Sequence, residues 1–583
     1  MALVGFGLTL SVLIVLVAVV FQNAESPFTP IIGLFGFLPF QQMLGETHCY
    51  AAIKTNSDDK SQSNCFTVKN GLFERVFSNQ SLGKSNTKTG YVIPGLWDGH
   101  GHLLQLGELR NSVDLFGAKA MSEVHERIIE YQSHHILAGT SEQWLRGVGW
   151  DQATFGKWPS AIDLEINDKF RDLYVMLDRV DVHCIWVSKK VLSLLPNPLP
   201  EVPGGEIPAE GIFCDNAMEI VLKHYPEPTV ERKTKFIKDA MHELNKFGVV
   251  GMHDAGVTPS HLKLYETLSL DENWTVRVYA MIECETRNTF CPNEAIKVET
   301  PNGKLRVQSV KLFADGALGS WGSAMIEPYS DKETSSGSLL VNSTTLTQLA
   351  VEWAGAGYQV NIHAIGDLAN RLAVDAFEES LKSLCPHTSL RDCQSRHRFR
   401  IEHAQIIHPD DQRRIRDLGI IPSIQPTHAT SDMYYAESRL GKKRTMEEAY
   451  RMRSLLPLGP VFGSDFPVEP ANVFEGIFAA MTRRNPRTGL DSEGRKDGWY
   501  AAEAVTLEDA LQGFTVNPAF AAFLEGRAGT IETGHYADWV VLDEPLEALD
   551  DESLRFATVR ETWVGGKQVY RRPGSEDLPS DAV

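Results

Sequence analysis

The chain has 583 residues, 43% of them apolar, which is ample for a large buried core and too long for one small domain. Its formal charge of −20 arises from 76 acidic against 56 basic residues, with no sustained basic block to neutralise phosphates. This balance argues against nucleic acid as a partner.

The first element in chain order is Ala2 to Phe21, an uncharged run rich in Val, Leu and Ile. Its length suits a bilayer-spanning helix. A cleaved signal peptide is the alternative, but no basic start precedes the run and Gln22-Asn23-Ala24 makes a poor cleavage site. Residues 1–24 are therefore expected to be a single-pass membrane anchor, with the catalytic part in the secretory lumen or outside the cell; secretion is the alternative. Ile31 to Phe40 is too short to cross and is expected at the membrane surface or against the folded domain.

Thr47 to Ile53 and Cys65 to Val76 read as short strands, as do Ala537 to Leu542 and Ala557 to Tyr570 at the other end. Such strands need a partner sheet. A composite β-sandwich from residues 45–92 and 525–573 is the simplest arrangement. Between them, eight apolar, β-branched runs alternate with helix-like stretches: Ile93 to Trp97, Gly248 to His253, Val276 to Ile282, Val307 to Phe313, Gln359 to His363, Phe399 to His403, Ile420 to Ile424 and Val461 to Ser464. Eight parallel βα units predict a closed (β/α)8 TIM-like barrel over 93–524, with its functional groups at the C-terminal strand ends. The gap after the first run is far longer than a βα loop, so a large insertion is expected over about 109–231, overhanging the site.

Eight cysteines include the close pairs Cys284/Cys291 and Cys385/Cys393, which are either disulfides or free buried thiols. Acceptor sequons at Asn79, Asn273 and Asn342 would matter only in a secretory compartment, where they would make the chain a glycoprotein.

In Asp98-Gly99-His100-Gly101-His102, the two histidines are two apart, so an extended backbone turns both rings to one face, where they could grip one metal. Lys311 sits in an otherwise apolar strand, where a lysine is costly unless neutralised or paired, and carboxylation would turn it into a bridging anion. His363, His403 and Asp465 each end a strand of their own. Singly, each has a structural reading, as a core histidine or a capping aspartate. Together they make a coherent ligand shell. Glu402 alternates with His403 and is expected to face outside the barrel.

With these segments, the chain resembles the amidohydrolase superfamily, in particular its YtcJ-like branch (amidohydrolase family 3). The resemblance lies in Val92-Ile93-Pro94-Gly95 leading into the Asp98–His102 motif, Val310 to Ser320, Asn361 to Asp367, Ile401 to Gln405, Gly463 to Pro467, and Ala537 to Leu542. It implies a divalent metal held by His100, His102, His363, His403 and Asp465, one ion or two, with Lys311 a carboxylated bridge in some members. Nitrogen and carboxylate ligands suit Zn2+ first. The implied chemistry is hydrolysis of a C–N bond, other than a peptide bond, in a small amide, formamide or cyclic amide, with Asp465 as general base and then general acid. An ester, lactone or carbamate hydrolase and a non-catalytic regulatory protein on the same barrel are the alternatives. Candidate substrate-binding residues are Trp150, Asp151 and His183 from the insertion, Asp315 and Trp321 after the fourth strand, and Gln425 and His428 after the seventh. Each of these has a structural reading too, and self-association is left open.

Overall fold

The computed structural model describes residues 45–56, 63–79 and 88–575. Eight parallel strands form the barrel: β1 (Leu96–Gly101), β2 (Val249–Val257), β3 (Arg277–Ile282), β4 (Leu305–Phe313), β5 (Gln359–Ala364), β6 (Arg400–His403), β7 (Ile421–Ile424) and β8 (Val461–Phe462). Neighbours pair in sequence order from β1 to β8. Just beyond β8, the Asp465 N–H donates to the His100 carbonyl at 2.7 Å and the His102 N–H donates to the Phe466 carbonyl at 2.9 Å, which closes the ring.

The closing seam needs small residues. A Cβ at Gly99 would lie 2.1 Å from Val461 Cγ1 and 2.7 Å from the Phe462 carbonyl, and one at Gly101 would lie 2.5 Å from the Phe466 ring. The Asp98 carboxylate fastens the same seam, accepting from Ser464 Oγ at 2.6 Å, from Ser464 N and from His100 N. The first barrel strand begins later than the apolar pattern suggests. Ile93 belongs to Lys88–Pro94 of another sheet, and the chain changes sheets at Gly95, whose N–H donates to Asp538 O while that of Leu96 donates to Gly248 O.

That other sheet has seven strands drawn from both ends of the chain. Trp539–Leu542 pairs antiparallel with Lys88–Pro94, which runs parallel to Glu46–Ile53. A bridge from Leu72 to Tyr536 brings the far edge back, so Phe66, Phe73 and Trp539 share one core. The long β1–β2 connection carries a separate six-stranded sheet, ordered Gly205–Ala209, Ile212–Asp215, Cys184–Val187, Val175–Arg179, Leu145–Trp150 and Val113–Asp114. Its own core contains Trp150, Trp186, Leu145 and Val175.

All eight cysteines are paired: Cys49–Cys65, Cys184–Cys214, Cys284–Cys291 and Cys385–Cys393. Two of these bridges join neighbouring antiparallel strands, where sequence spacing gives no signal.

The expected single-pass membrane protein, with the membrane as a partner, is overturned. No helix of the described residues is long and apolar enough to cross a membrane. The runs Ala2 to Phe21 and Ile31 to Phe40, on which that expectation stood, lie outside the described residues.

Because the β1–β8 seam has no room for a side chain at position 99, Gly99→Ala is expected to destabilise the protein by about 1–3 kcal/mol. The check is the urea midpoint of the variant against wild type, and an unchanged midpoint would contradict this packing.

Candidate active site

The C-terminal ends of β1, β5, β6 and β8 bring His100, His102, His363, His403 and Asp465 together. Asp465 Oδ1 lies 3.5 Å from His100 Nε2 and 3.2 Å from His102 Nε2, while its Oδ2 lies 3.6 Å from His428 Nε2. The His403 ring stands 4.9 Å from that of His100 and 4.4 Å from that of His363, between centroids. Local backbone decides this convergence. His403 (φ 72°), Ala404 (φ 43°) and Asp465 (φ 62°) all leave the extended region, which turns the last side chains of β6 and β8 over the barrel mouth.

One donor atom each from His100, His403 and Asp465 lies within 4.8 Å of the others. The ring atoms His100 Nε2, His363 Nε2 and His403 Nδ1 are buried without hydrogen-bond partners. Buried nitrogens left unsatisfied are costly, so the convergence of His100, His403 and Asp465 fits a divalent cation. Burial pulls the His363 and His403 pKa values well below the ordinary imidazole value, and burial with the nearby Lys311 charge takes His100 to about 4. The rings are therefore neutral, as ligands must be. Burial alone would raise the Asp465 carboxyl, but the neighbouring His100 and the hydrogen bond of His102 outweigh it and hold it below the usual carboxylate range. Lys311, buried on β4, has its pKa lowered by burial, and its Nζ stands 4.8 Å from the Phe313 ring centroid.

Beneath this cluster, Glu402 is fully buried and accepts from His100 Nδ1 at 2.5 Å. The expectation that it faces outside the barrel is wrong for a definite reason. Arg400 and Glu402, two apart, share the inward face of β6, and the positive φ of His403 then brings that side chain inward as well.

Above the cluster opens a cavity of about 170 Å³, lined by Asp151, Arg179 and His183 of the insertion and by His428, Asp432 and Asp465, among others. The His183 Nδ1–H donates to Asp215 at 2.8 Å; burial lowers its pKa, but the Asp215 hydrogen bond and charge outweigh it, and the net shift is upward.

Residues 86–570 match the amidohydrolase family. The chain belongs to that family. Among its relatives, it is 30% identical to the protein LONG AFTER FAR-RED 3 of Arabidopsis thaliana, over 82% of each chain. It is 26% identical to the putative amidohydrolase YtcJ of Bacillus subtilis (82% of this chain, 89% of that one) and 25% identical to an N-substituted formamide deformylase of Arthrobacter pascens (83% and 89%). The match to YtcJ agrees with the YtcJ-like branch. In structure it resembles an uncharacterised metal-dependent hydrolase of Pyrococcus horikoshii, with a TM-score of 0.67 and 25% identity over 87% of this chain and 99% of that one. A metal-dependent hydrolase of the amidohydrolase family is thus the reading that fold, donors and relatives share.

In this amidohydrolase, four of the expected substrate contacts lie elsewhere. Trp150 is fully buried in the core of the insertion, its indole N–H bound to Leu177 O at 2.8 Å, because it ends a strand whose side chain turns inward. The Asp315 carboxylate is buried under three backbone N–H donors, those of Ala324, Ile365 and Gly366, and braces the loop beside His363 with its pKa raised by burial to about 7. Trp321 bonds Asp331 at 3.0 Å and lies under the Arg439 guanidinium, 3.6 Å away. Gln425 is buried at the start of the helix Pro426–Ser431, outside the cavity lining. Asp151, His183 and His428 do line the cavity. Glu402, Arg400, Asp98 and Asp215 are additions to the expected set, and the signal for the first two was a pair of charges at i, i+2 in a strand that must be buried.

Elemental analysis of protein purified without chelator is expected to give about one or two equivalents of divalent metal. His100→Ala together with His102→Ala should lose most of it, and unchanged metal content would show that these donors do not form the site.

Proposed function

We propose that this amidohydrolase hydrolyses a C–N bond, other than a peptide bond, in a small amide, formamide or cyclic amide. The observation that carries the reading is the position of Asp465, whose two oxygens reach toward His100, His102 and His428 at the floor of the cavity. The cavity's volume of about 170 Å³ favours a small substrate, and the similarity to a deformylase of N-substituted formamides supports an amide carbonyl.

His100, His102, His363, His403 and Asp465 would hold the ion, with zinc first by donor chemistry and Lys311, once carboxylated, able to bridge to a second. When bound, the metal supplies Lewis acidity and lowers the pKa of water to about 7. The chain's own part is proton transfer. As water oxygen bonds to the carbonyl carbon, Asp465 accepts a water proton. As the C–N bond breaks, Asp465 returns that proton to the leaving nitrogen, giving a carboxylic acid and an amine. His428, 3.6 Å from Asp465 Oδ2, orients the carboxylate.

The test is a screen of zinc-loaded protein against formamides, cyclic amides, simple amides and carboxylic esters. Turnover of an amide is expected, and turnover of esters alone would refute the C–N assignment. On the substrate found, Asp465→Asn should retain most of its metal and lose about 10²- to 10⁴-fold in kcat. A metal-loaded variant with near-normal kcat would remove Asp465 as the proton carrier.

A further inference from the structure

We infer that Glu402, aligned by Arg400, is the positioning residue that sets how tightly His100 holds a metal ion; this rests on the ligand role proposed for His100. An imidazole can present either nitrogen, and a ligand ring must present the correct one in the correct direction. Here the His100 Nδ1–H donates to Glu402 Oε2 at 2.5 Å, which leaves the lone pair on Nε2, the atom that faces Asp465 and has no hydrogen-bond partner. A carboxylate on the outer nitrogen of a ligating histidine fixes its tautomer and ring direction and raises its basicity.

Glu402 is held just as firmly. Arg400 Nε lies 2.8 Å from Oε1, and Nη2 donates to Oε2 at 3.0 Å. The guanidinium is in turn fixed from three other strands: Nη2 donates to Gly99 O of β1 and to Ser423 Oγ of β7, both at 3.1 Å, and Nη1 donates to His253 Nδ1 of β2 at 2.5 Å. His253 can accept there because its Nε2–H donates to Pro518 O at 3.1 Å. Arg400, Glu402, His100, His253 and Ser423 are all fully buried. For stability alone, such a buried ion pair is weakly favourable at best against an apolar replacement. Its one-sided contact with a ligand ring gives it a different task.

The experiment measures zinc affinity of the full chain by competition with a chromophoric chelator, alongside the melting temperature of the metal-free protein. Glu402→Gln, which keeps size but loses charge, is expected to bind zinc about 10- to 100-fold more weakly. In a His100→Gln protein, adding Glu402→Gln should cause no further loss, because the ring through which it acts is gone. Wild-type zinc affinity in Glu402→Gln, even with a lowered melting temperature, would overturn the inference, as would a fully additive loss in the double variant. Arg400→Lys keeps the charge but not the two-pronged contact, and is expected to weaken zinc toward the lower end of the same range. If Glu402→Gln does not fold, wild-type affinity in Arg400→Lys overturns the inference instead. Failure of the wild-type chain itself to bind zinc would be a separate result, removing the ligand assignment of His100 and the inference with it.

Discussion

Arg400 and Glu402 face each other inside the barrel, fully buried, and the catalytic face depends on their ion pair. An uncompensated charge there would cost several kcal/mol. Burial would push the Glu402 carboxyl upward, but the Arg400 charge and the His100 hydrogen bond outweigh it and hold it below the usual carboxylate range. The guanidinium also reaches Gly99 of β1, His253 of β2 and Ser423 of β7, so one side chain on β6 ties together strands far apart in the sequence. A hydrocarbon core could fill this space, but it could not give His100 a fixed tautomer. The polar plug thus joins two demands, satisfying buried groups and orienting the His100 ring.

The seam between β1 and β8 meets the plug from the other side. Asp98 accepts from the backbone and hydroxyl of Ser464 and from the backbone of His100, with its pKa raised by burial to about 7. The seam places Asp465 directly over His100, and the close approach of the two strands explains Gly99 and Gly101. The left-handed backbone at His403, Ala404 and Asp465 costs on the order of 1–3 kcal/mol per residue. The surrounding hydrogen bonds and packing maintain it, and it aims the last side chains of two strands at one point.

The insertion contributes the roof of the cavity as a separately cored unit. Arg179 draws Asp151, Asp181 and Gln152 together at its edge. The Cys184–Cys214 disulfide joins the strand residues next to His183 and Asp215, so the imidazole and carboxylate are presented as a fixed pair. Gly316 and Gly322 leave room for the Asp215 carboxylate, which a Cβ at either position would approach within 3 Å. The floor and the roof of the cavity thus come from different parts of the chain.

Much of this was legible in the residues. Apolar β-branched runs ending in His363, His403 and Asp465 predict parallel strands with functional ends, and the two-residue spacing of His100 and His102 predicts a shared face, because strand periodicity is a local property. The same rule failed at Glu402, where the φ of the next residue reversed the alternation, and at Trp150, whose side chain turned into the insertion's own core. Asp315 carried the composition of a pocket residue, yet three backbone donors distant in the sequence claimed its oxygens. The sequence by itself determined the barrel, which follows from strand periodicity, and the family, through ordered motifs that resemble it. Only the tertiary structure decided which buried polar group meets which, including the Arg400–Glu402–His100 chain and the paired cysteines on adjacent strands, because those partners are brought together by strand order and backbone turns that no local pattern encodes.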